Sequence, residues 1–349
     1  MKILFDIGHP AHVHLFKNVI HEMNNKGHEI LITAREKEVT KQLLDVYGIP
    51  YTQVGSIKTG KINLILEWIY RDIKIFQLAK KFNPDILIGV LNPSIVHAGA
   101  ILKKKTIIFT DSEPEAIKFP IADIITTPLA DTIITLSSVK HCYGEKEIRI
   151  NSYKELAYLH PNWFRPNPHV LENAGINETT KYVILRFVSW RAYHDAGRGG
   201  FDIEHKRRLV KELSPYIRVF ISSEQELLEE FEQYRIPLPP EQMHNFLFFA
   251  SLLISDSQTM TTEAAVLGTP AIRCNSFVGT NDMGNFIELE RKYGLIYNYK
   301  SIDDVLKKSI KIISSEKYKQ KWRERRAVLL QEKEDFTAFL IEVIENTKI

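Results

Sequence analysis

Short runs rich in β-branched residues alternate with longer helical stretches along this chain, and the alternation occurs twice. Such a pattern leaves little room for anything but parallel sheets covered by helices. In the first half the strand-like runs fall at Ile3–Ile7, Glu29–Thr33, Tyr51–Val54, Ile86–Val90, Thr106–Phe109, Ile124–Thr126 and Thr132–Leu136. Between them, helical spacing runs from His12 to Asn25, Glu36 to Tyr47, Ile62 to Phe82 and Ser94 to Leu102. Gly27 and Gly48 follow the first two of these, where a helix C-terminus favours glycine.

The texture changes at Asn151–Pro168, where prolines at 161, 166 and 168 stiffen the chain and suit an interdomain connection. The alternation then restarts. Strands are expected at Tyr182–Phe187, Arg218–Ile221, Leu252–Ile254 and Ala271–Arg273, with helices at Ile203–Leu213, Glu224–Tyr234, Glu241–Phe249 and Thr259–Leu267. From Ser315 onward the chain reads as charged helix. The expectation is an α/β protein of two Rossmann-like domains, 1–165 and 166–319, with 320–349 returning to pack on the first. In doubly wound sheets ligands sit beyond the carboxyl ends of the strands. Two such domains facing each other would place both sets of strand-end loops in one cleft, so the residues just after each strand carry the interest.

Composition excludes several classes. A chain of 349 residues is comfortable as two α/β domains, and 44% hydrophobic with 26% charged residues suits well-filled cores. A formal net charge of +3 gives no support for a nucleic-acid partner, though it suits an anionic small molecule. Cys142 and Cys274 show no metal-ligand spacing, and their scarcity fits a reducing compartment or simple core use. No signal peptide is visible, and no run approaches the roughly 20 apolar residues that span a bilayer. A cytoplasmic protein is expected. The apolar helix Lys61–Phe82, with lysines at both ends, is expected mainly to pack on the first domain, or else to touch the inner face of a membrane or a lipid-linked acceptor.

In the first domain the opening strand leads into Gly8-His9-Pro10-Ala11-His12-Val13-His14. Gly8 suits a tight turn there, and the following helix start is a natural anion site. The spacing H-x-x-H-x-H does not place His9, His12 and His14 on one helical face, so no metal is expected; one of them could act as an acid, base or phosphate donor. Asn92, in Leu91-Asn92-Pro93-Ser94, suits helix capping and ligand binding equally. Phe109-Thr110-Asp111-Ser112-Glu113-Pro114-Glu115 gathers three carboxylates at one strand end; Asp111 or Glu113 would serve as general base, or cap the next helix.

In the second domain Arg186 ends a strand and opens a long loop through Ser189, Trp190 and Arg191. Loops of this length are usually functional: the arginines can pair with diphosphate oxygens and Trp190 can stack on a base or sugar. Ser222, Ser223 and Glu224 end the next strand, ambiguous between a helix cap and a ligand site. The strongest local signal is Asp256-Ser257-Gln258-Thr259-Met260-Thr261-Thr262-Glu263-Ala264-Ala265, followed by Leu267-Gly268-Thr269-Pro270. An apolar strand here runs into small hydroxyl residues that begin a helix and offer donors to phosphate. Glu263, a turn further on, could accept from both hydroxyls of a ribose.

The Asp256–Pro270 run resembles the donor-binding segment of GT-B nucleotide-sugar enzymes, above all the non-hydrolysing UDP-N-acetylglucosamine 2-epimerases, whose pattern is D-S-G-G, a spacer, E-A and L-G-x-P. The whole chain is closer still to a prokaryotic family of glycosyltransferase-like proteins catalogued as a domain of unknown function. The runs FDIGHPAHVHLFK, LLDVYGIPY, RFVSW, VFISSE, SDSQTM and GTPAIRCNSFVG carry that resemblance over nearly all 349 residues. It implies a GT-B fold, with Ser257 and Thr259 meeting the diphosphate and Glu263 the ribose. Gln258 and Thr259 replace the epimerases' two glycines. Asn92 stands where those enzymes place an acid, Asp111 or Glu113 where they have a glutamate, and His9 or His12 where they have an arginine.

The resemblance implies a glycosyltransferase that moves a sugar from a nucleotide donor, a UDP-sugar first, to a hydroxyl of a glycan or lipid-linked acceptor, with neither metal nor other cofactor. The alternatives are a UDP-sugar 2-epimerase or hydrolase, and a non-catalytic sugar-nucleotide-binding protein.

Overall fold

A computed structural model describes residues 1–37, 39–56, 61–111, 113–114, 121–189, 199–279 and 282–348, with the side chains of 61–64 also outside the description. The chain divides into two compact units, Met1–Tyr158 with Glu334–Ile349, and Leu159–Lys333.

The first unit is built on strands β1 (Lys2–Ile7), β2 (Glu29–Glu36), β3 (Thr52–Ser56), β4 (Ile86–Val90), β5 (Lys105–Thr110), β6 (Thr132–Leu136) and β7 (Glu147–Ile150). They form one sheet in the order β3-β2-β1-β4-β5-β6-β7, with every pairing parallel. Helices α1 (Pro10–Asn25), α2 (Thr40–Val46), α3 (Lys61–Phe82), α4 (Pro93–Leu102) and α5 (Ile121–Thr126) connect successive strands, and α6 (Leu156–Leu159) ends the unit's first segment. Parallel strands are covered on both faces and read as near-continuous apolar runs. Leu4, Leu87, Ile108 and Ile133, from four adjacent strands, accordingly meet in one core with Ile75 and Ala79 of α3.

The second unit contains α7 (His169–Asn173), β8 (Tyr182–Phe187), α8 (Ile203–Leu213), β9 (Arg218–Ser223), α9 (Glu229–Glu232), α10 (Met243–Phe249), β10 (Leu252–Ser255), α11 (Gln258–Leu267), β11 (Ala271–Cys274), α12 (Gly284–Arg291), β12 (Ile296–Tyr299), α13 (Ile302–Ile313) and α14 (Lys317–Glu332). Its parallel sheet runs β12-β11-β10-β8-β9. The chain leaves β8 towards β9 and later resumes on the other side of β8 with β10, so strand order reverses between β8 and β10.

Four expectations need correction. Ile124–Thr126 is not a strand but the end of α5. Ile124, Ile125 and Thr126 are β-branched and mimic a strand, yet a crossover between parallel β5 and β6 requires chain that leaves the sheet. Glu36 ends β2 instead of opening a helix, and Glu224–Tyr234 yields only the single turn α9. The chain also returns to the first unit later than residue 320. Helix α14 stays with the second unit, where Trp322 is fully buried and donates through Nε1 to the Leu295 carbonyl at 2.7 Å, and Arg326 Nε donates to the Val266 carbonyl at 2.7 Å. Only α15 (Phe336–Asn346), capped by the Asp335 carboxylate, packs on α1, with Thr337 Oγ1 donating to the Ala157 carbonyl at 2.8 Å and Phe336 set edge-on to Phe109.

Candidate functional site

In the second unit, the apolar β10 ends in Ser255, and Ser257 caps α11, its hydroxyl accepting from the Met260 N–H at 3.3 Å. The Ser255 hydroxyl accepts from the Ser257 N–H at 2.8 Å, which fixes the turn. Gln258 and Thr259 open the helix, half-buried, with no preceding turn for their amides to donate into. This helix start lies at the reversal of strand order, where doubly wound sheets bind ligands.

Glu263, one turn further, is not an exposed carboxylate. It is 7% exposed, and its Oε1 lies 3.0 Å from Nε2 of His244 on α10, itself buried. Its orientation is thereby fixed by a residue that the motif does not contain. Asp256, named with the motif, is engaged within its own unit. It is buried, and its two carboxylate oxygens accept from the Val188 N–H at 2.9 Å and the Phe201 N–H at 3.2 Å. The side chain thus ties together the two described ends of the loop that follows β8. Gly200 permits this approach: a Cβ there would stand 2.2 Å from Asp256 Oδ2. Met260 is buried in the helix base.

Arg186 is committed within its own unit. Its Nη1 donates to the Ser222 hydroxyl at 2.8 Å and its Nη2 to Glu224 Oε1 at 2.7 Å, while its buried Nε has no partner among the described residues. Glu224 also accepts from the Ser189 N–H at 3.0 Å, and Ser223 accepts from the Gln225 N–H. Arg186, Ser189, Ser222 and Glu224 therefore form one polar cluster at the ends of β8 and β9. Trp190 and Arg191 lie outside the described residues.

In the first unit, His9 is the N-cap of α1, its Nδ1 accepting from the Ala11 N–H at 3.1 Å. His12 Nδ1 accepts from the Gly8 N–H at 3.3 Å. A backbone amide can only donate, so the neutral ring carries its proton on Nε2. Burial, with the nearby Lys154 and Lys37 adding to it and Asp111 opposing, pushes the His12 pKa down to about 3. The imidazole is therefore neutral at ordinary pH. Gly8 has an ordinary backbone conformation and space for a Cβ, so the expected demand for glycine is absent. His14 is a packing residue, buried against Tyr158 and Tyr47.

Asp111, directly after β5, pairs with Lys154 Nζ at 2.5 Å. Glu113 is held elsewhere, by the Lys140 N–H at 3.4 Å and its ammonium at 3.8 Å. Asn92 is occupied at both ends: its Oδ1 accepts from the Ser94 and Ile95 N–H groups, capping α4, and its Nδ2 donates to Asp6. Asp6, fully buried in β1, also accepts from Thr33 and pairs with Arg71 of α3. Among the described residues no three His, Cys, Asp or Glu side chains gather as a metal site.

Sequence reasoning missed His244, Lys154 and the Asp6–Arg71 pair. Asp6 had left a signal, a lone charge inside the apolar run ILFDI. His244 and Lys154 gave none, because each is brought to its partner only by the fold.

Comparison with known proteins agrees with this architecture. A family model described as "Protein of unknown function (DUF354)" matches residues 1–348, and the chain belongs to that family. The uncharacterized protein MJ0665 of Methanocaldococcus jannaschii is 22% identical over 285 residues, covering 78% of this chain and 82% of the relative. Among solved structures, the UDP-GlcNAc 2-epimerase of Neisseria meningitidis bound to UDP-GlcNAc superposes with a TM-score of 0.67 at 12% identity, covering 99% of this chain and all of the other. The Streptomyces sp. SF2575 glycosyltransferase SsfS6, complexed with thymidine diphosphate, gives 0.64 at 13% identity with the same coverage. The fold is of the GT-B class, shared by glycosyltransferases and sugar-nucleotide epimerases.

Proposed function

We propose that the protein is a glycosyltransferase that takes a sugar from a nucleotide donor, a UDP-sugar first among candidates, and passes it to a hydroxyl acceptor. The observation that carries this reading is the start of α11: a capped helix N-terminus with the Ser257 and Thr259 hydroxyls, placed at the strand-order reversal, with Glu263 one turn behind it and oriented by His244. The amides and hydroxyls there suit a diphosphate, whose charge grows as the sugar leaves, and Glu263 suits the ribose hydroxyls. No metal is assigned a part in this. Binding of UDP-GlcNAc and of thymidine diphosphate by two similar folds supports the same assignment.

A transfer reaction is favoured over epimerisation by Asn92. The epimerases of the sequence resemblance carry an acid at that position; here the side chain is an amide spent on capping α4 and on Asp6. Asp111 is assigned the acceptor proton. A neutral His12 presents Nε2–H as a hydrogen-bond donor, with Nδ1 engaged by Gly8. The acceptor is a glycan or a lipid-linked glycan.

Thermal-shift and native mass-spectrometric screening against a panel of nucleotide sugars tests the reading. Stabilisation by one donor, without formation of its epimer in the absence of acceptor, is the expected result. An epimer formed from that donor alone would replace transfer by isomerisation, and no nucleotide binding at all would remove the proposal.

A further inference from the structure

The N-terminal half of helix α3 is inverted. Its sheet-facing row is Glu67, Arg71, Ile75 and Ala79, all buried, with Glu67 paired to Arg35 and Arg71 to Asp6. Its outer surface is apolar instead: Ile65, Leu66, Ile69, Tyr70 and Ile73 are each 47–57% exposed. Positions 65, 69 and 73 form one row along a helix, and 66 and 70 the row beside it, so the five make a single stripe. An ordinary helix on a sheet places its charges outside and its aliphatic residues inside.

The stripe continues across a layer. Helix α4 packs on α3 and α5 on α4, and Ile101 and Ile124, at 67% and 63%, are the most exposed aliphatic residues of those two helices. An apolar surface of this extent marks an interaction site. Its charge indicates the partner. Lys74, Lys80 and Lys81 of α3 and Lys103, just past α4, are exposed, with Lys104 half-buried beside them. The carboxylates on the described parts of these three helices are all engaged: Glu67 with Arg35, Asp72 with His97 and Asp123 with the Tyr143 hydroxyl. Aliphatic residues with lysines and no unengaged acid are what an anionic bilayer surface selects: the apolar groups enter the headgroup boundary and the ammonium groups meet the lipid charge. No described helix is long and apolar enough to cross a membrane, so the contact lies along the surface.

We propose that the outer face of α3, α4 and α5 docks the protein on an anionic lipid surface. This goes beyond the reading of the second unit and stands without it. The test is sedimentation of the full chain with phosphatidylcholine vesicles, with and without phosphatidylglycerol, at low and high salt. The protein is expected to sediment with the phosphatidylglycerol vesicles at low salt and to be released by high salt. Ile69→Glu and the pair Lys103→Glu with Lys104→Glu are expected to weaken this by about tenfold or more while leaving the melting temperature unchanged. The charge-reversal pair touches no buried side chain of α3, so it serves even if Ile69→Glu perturbs folding. Equal sedimentation of wild type and both variants overturns the proposal, as does no sedimentation of wild type. A dimer in sedimentation velocity that Ile69→Glu dissolves also overturns it, since a second copy would then cover the face.

Discussion

His244 Nε2 lies 3.0 Å from Glu263 Oε1, and both side chains are buried. The carboxylate assigned to the ribose is thus part of the packing between α10 and α11, and binding and stability are coupled there. Glu263→Ala leaves His244 without its acceptor and a gap behind it, at a cost of about 2–4 kcal/mol, visible as a lower melting temperature. Glu263→Gln keeps an oxygen for His244, so it is expected to melt nearer wild type while UDP affinity by calorimetry falls about tenfold. Unchanged UDP affinity in Glu263→Gln would sink the ribose assignment.

Gly200→Ala tests the loop anchor. The added Cβ would collide with the Asp256 carboxylate, which cannot retreat without releasing the Val188 or the Phe201 amide. A destabilisation of about 1–3 kcal/mol is expected in urea unfolding. Gly199→Ala, whose Cβ would meet nothing within 4 Å, is expected to cost much less. Equal stability of the two variants would show that the Asp256 clasp is loose.

Much of this was legible in the sequence, for identifiable reasons. Buried parallel strands such as Ile86–Val90 and Tyr182–Phe187 are plain because a parallel sheet must be apolar on both faces. The helix start at Ser257 was plain because capping is local chemistry. Partnerships across the fold were not. Asp256 reads like a ligand residue in SDSQTM, yet its partners are amides 68 and 55 residues away. Asn92 looked ambiguous because, beside the Ser94 and Ile95 amides it caps, its third partner, Asp6, is 86 residues distant. The strand at Ile296–Tyr299 escaped because its sequence, IYNY, is only four residues long and is broken by Asn298.

His12 should not titrate near neutrality. With its pKa held down to about 3 against an ordinary 6.5, the native ring stays neutral where the unfolded chain's ring takes up a proton. The unfolded state then binds more protons, so this residue lowers stability as the pH falls through 6.5 towards 3. By NMR the His12 ring resonances are expected to stay constant between about pH 5 and 8, while the ring of an exposed histidine shifts over that range. A His12 midpoint near 6.5 would contradict the burial and the tautomer assigned here.

Three residues compete for the acceptor proton: His12, Asp111 and Glu113. His12 has its Nδ1 lone pair engaged by the Gly8 amide, so the ring would have to break that hydrogen bond before accepting a proton there, and its Nε2 already carries one. Asp111 follows β5 directly and is held by Lys154 at 2.5 Å, which fixes one oxygen and supplies a compensating positive charge. Glu113, buried against Lys140, is committed elsewhere. A base needs a lone pair, a fixed position and no prior commitment of its proton-accepting atom, and Asp111 meets these conditions best. Asp111→Asn is therefore expected to keep donor affinity within about twofold while lowering turnover by about 100-fold or more, the scale of lost general-base catalysis. His12→Gln, which retains a hydrogen-bond donor, is expected to lose less. Turnover is followed as release of the nucleoside diphosphate from whichever donor the screen identifies, and affinity by calorimetry. Near-normal turnover in Asp111→Asn, together with loss of turnover but not of donor binding in His12→Gln, would move the base to the histidine loop.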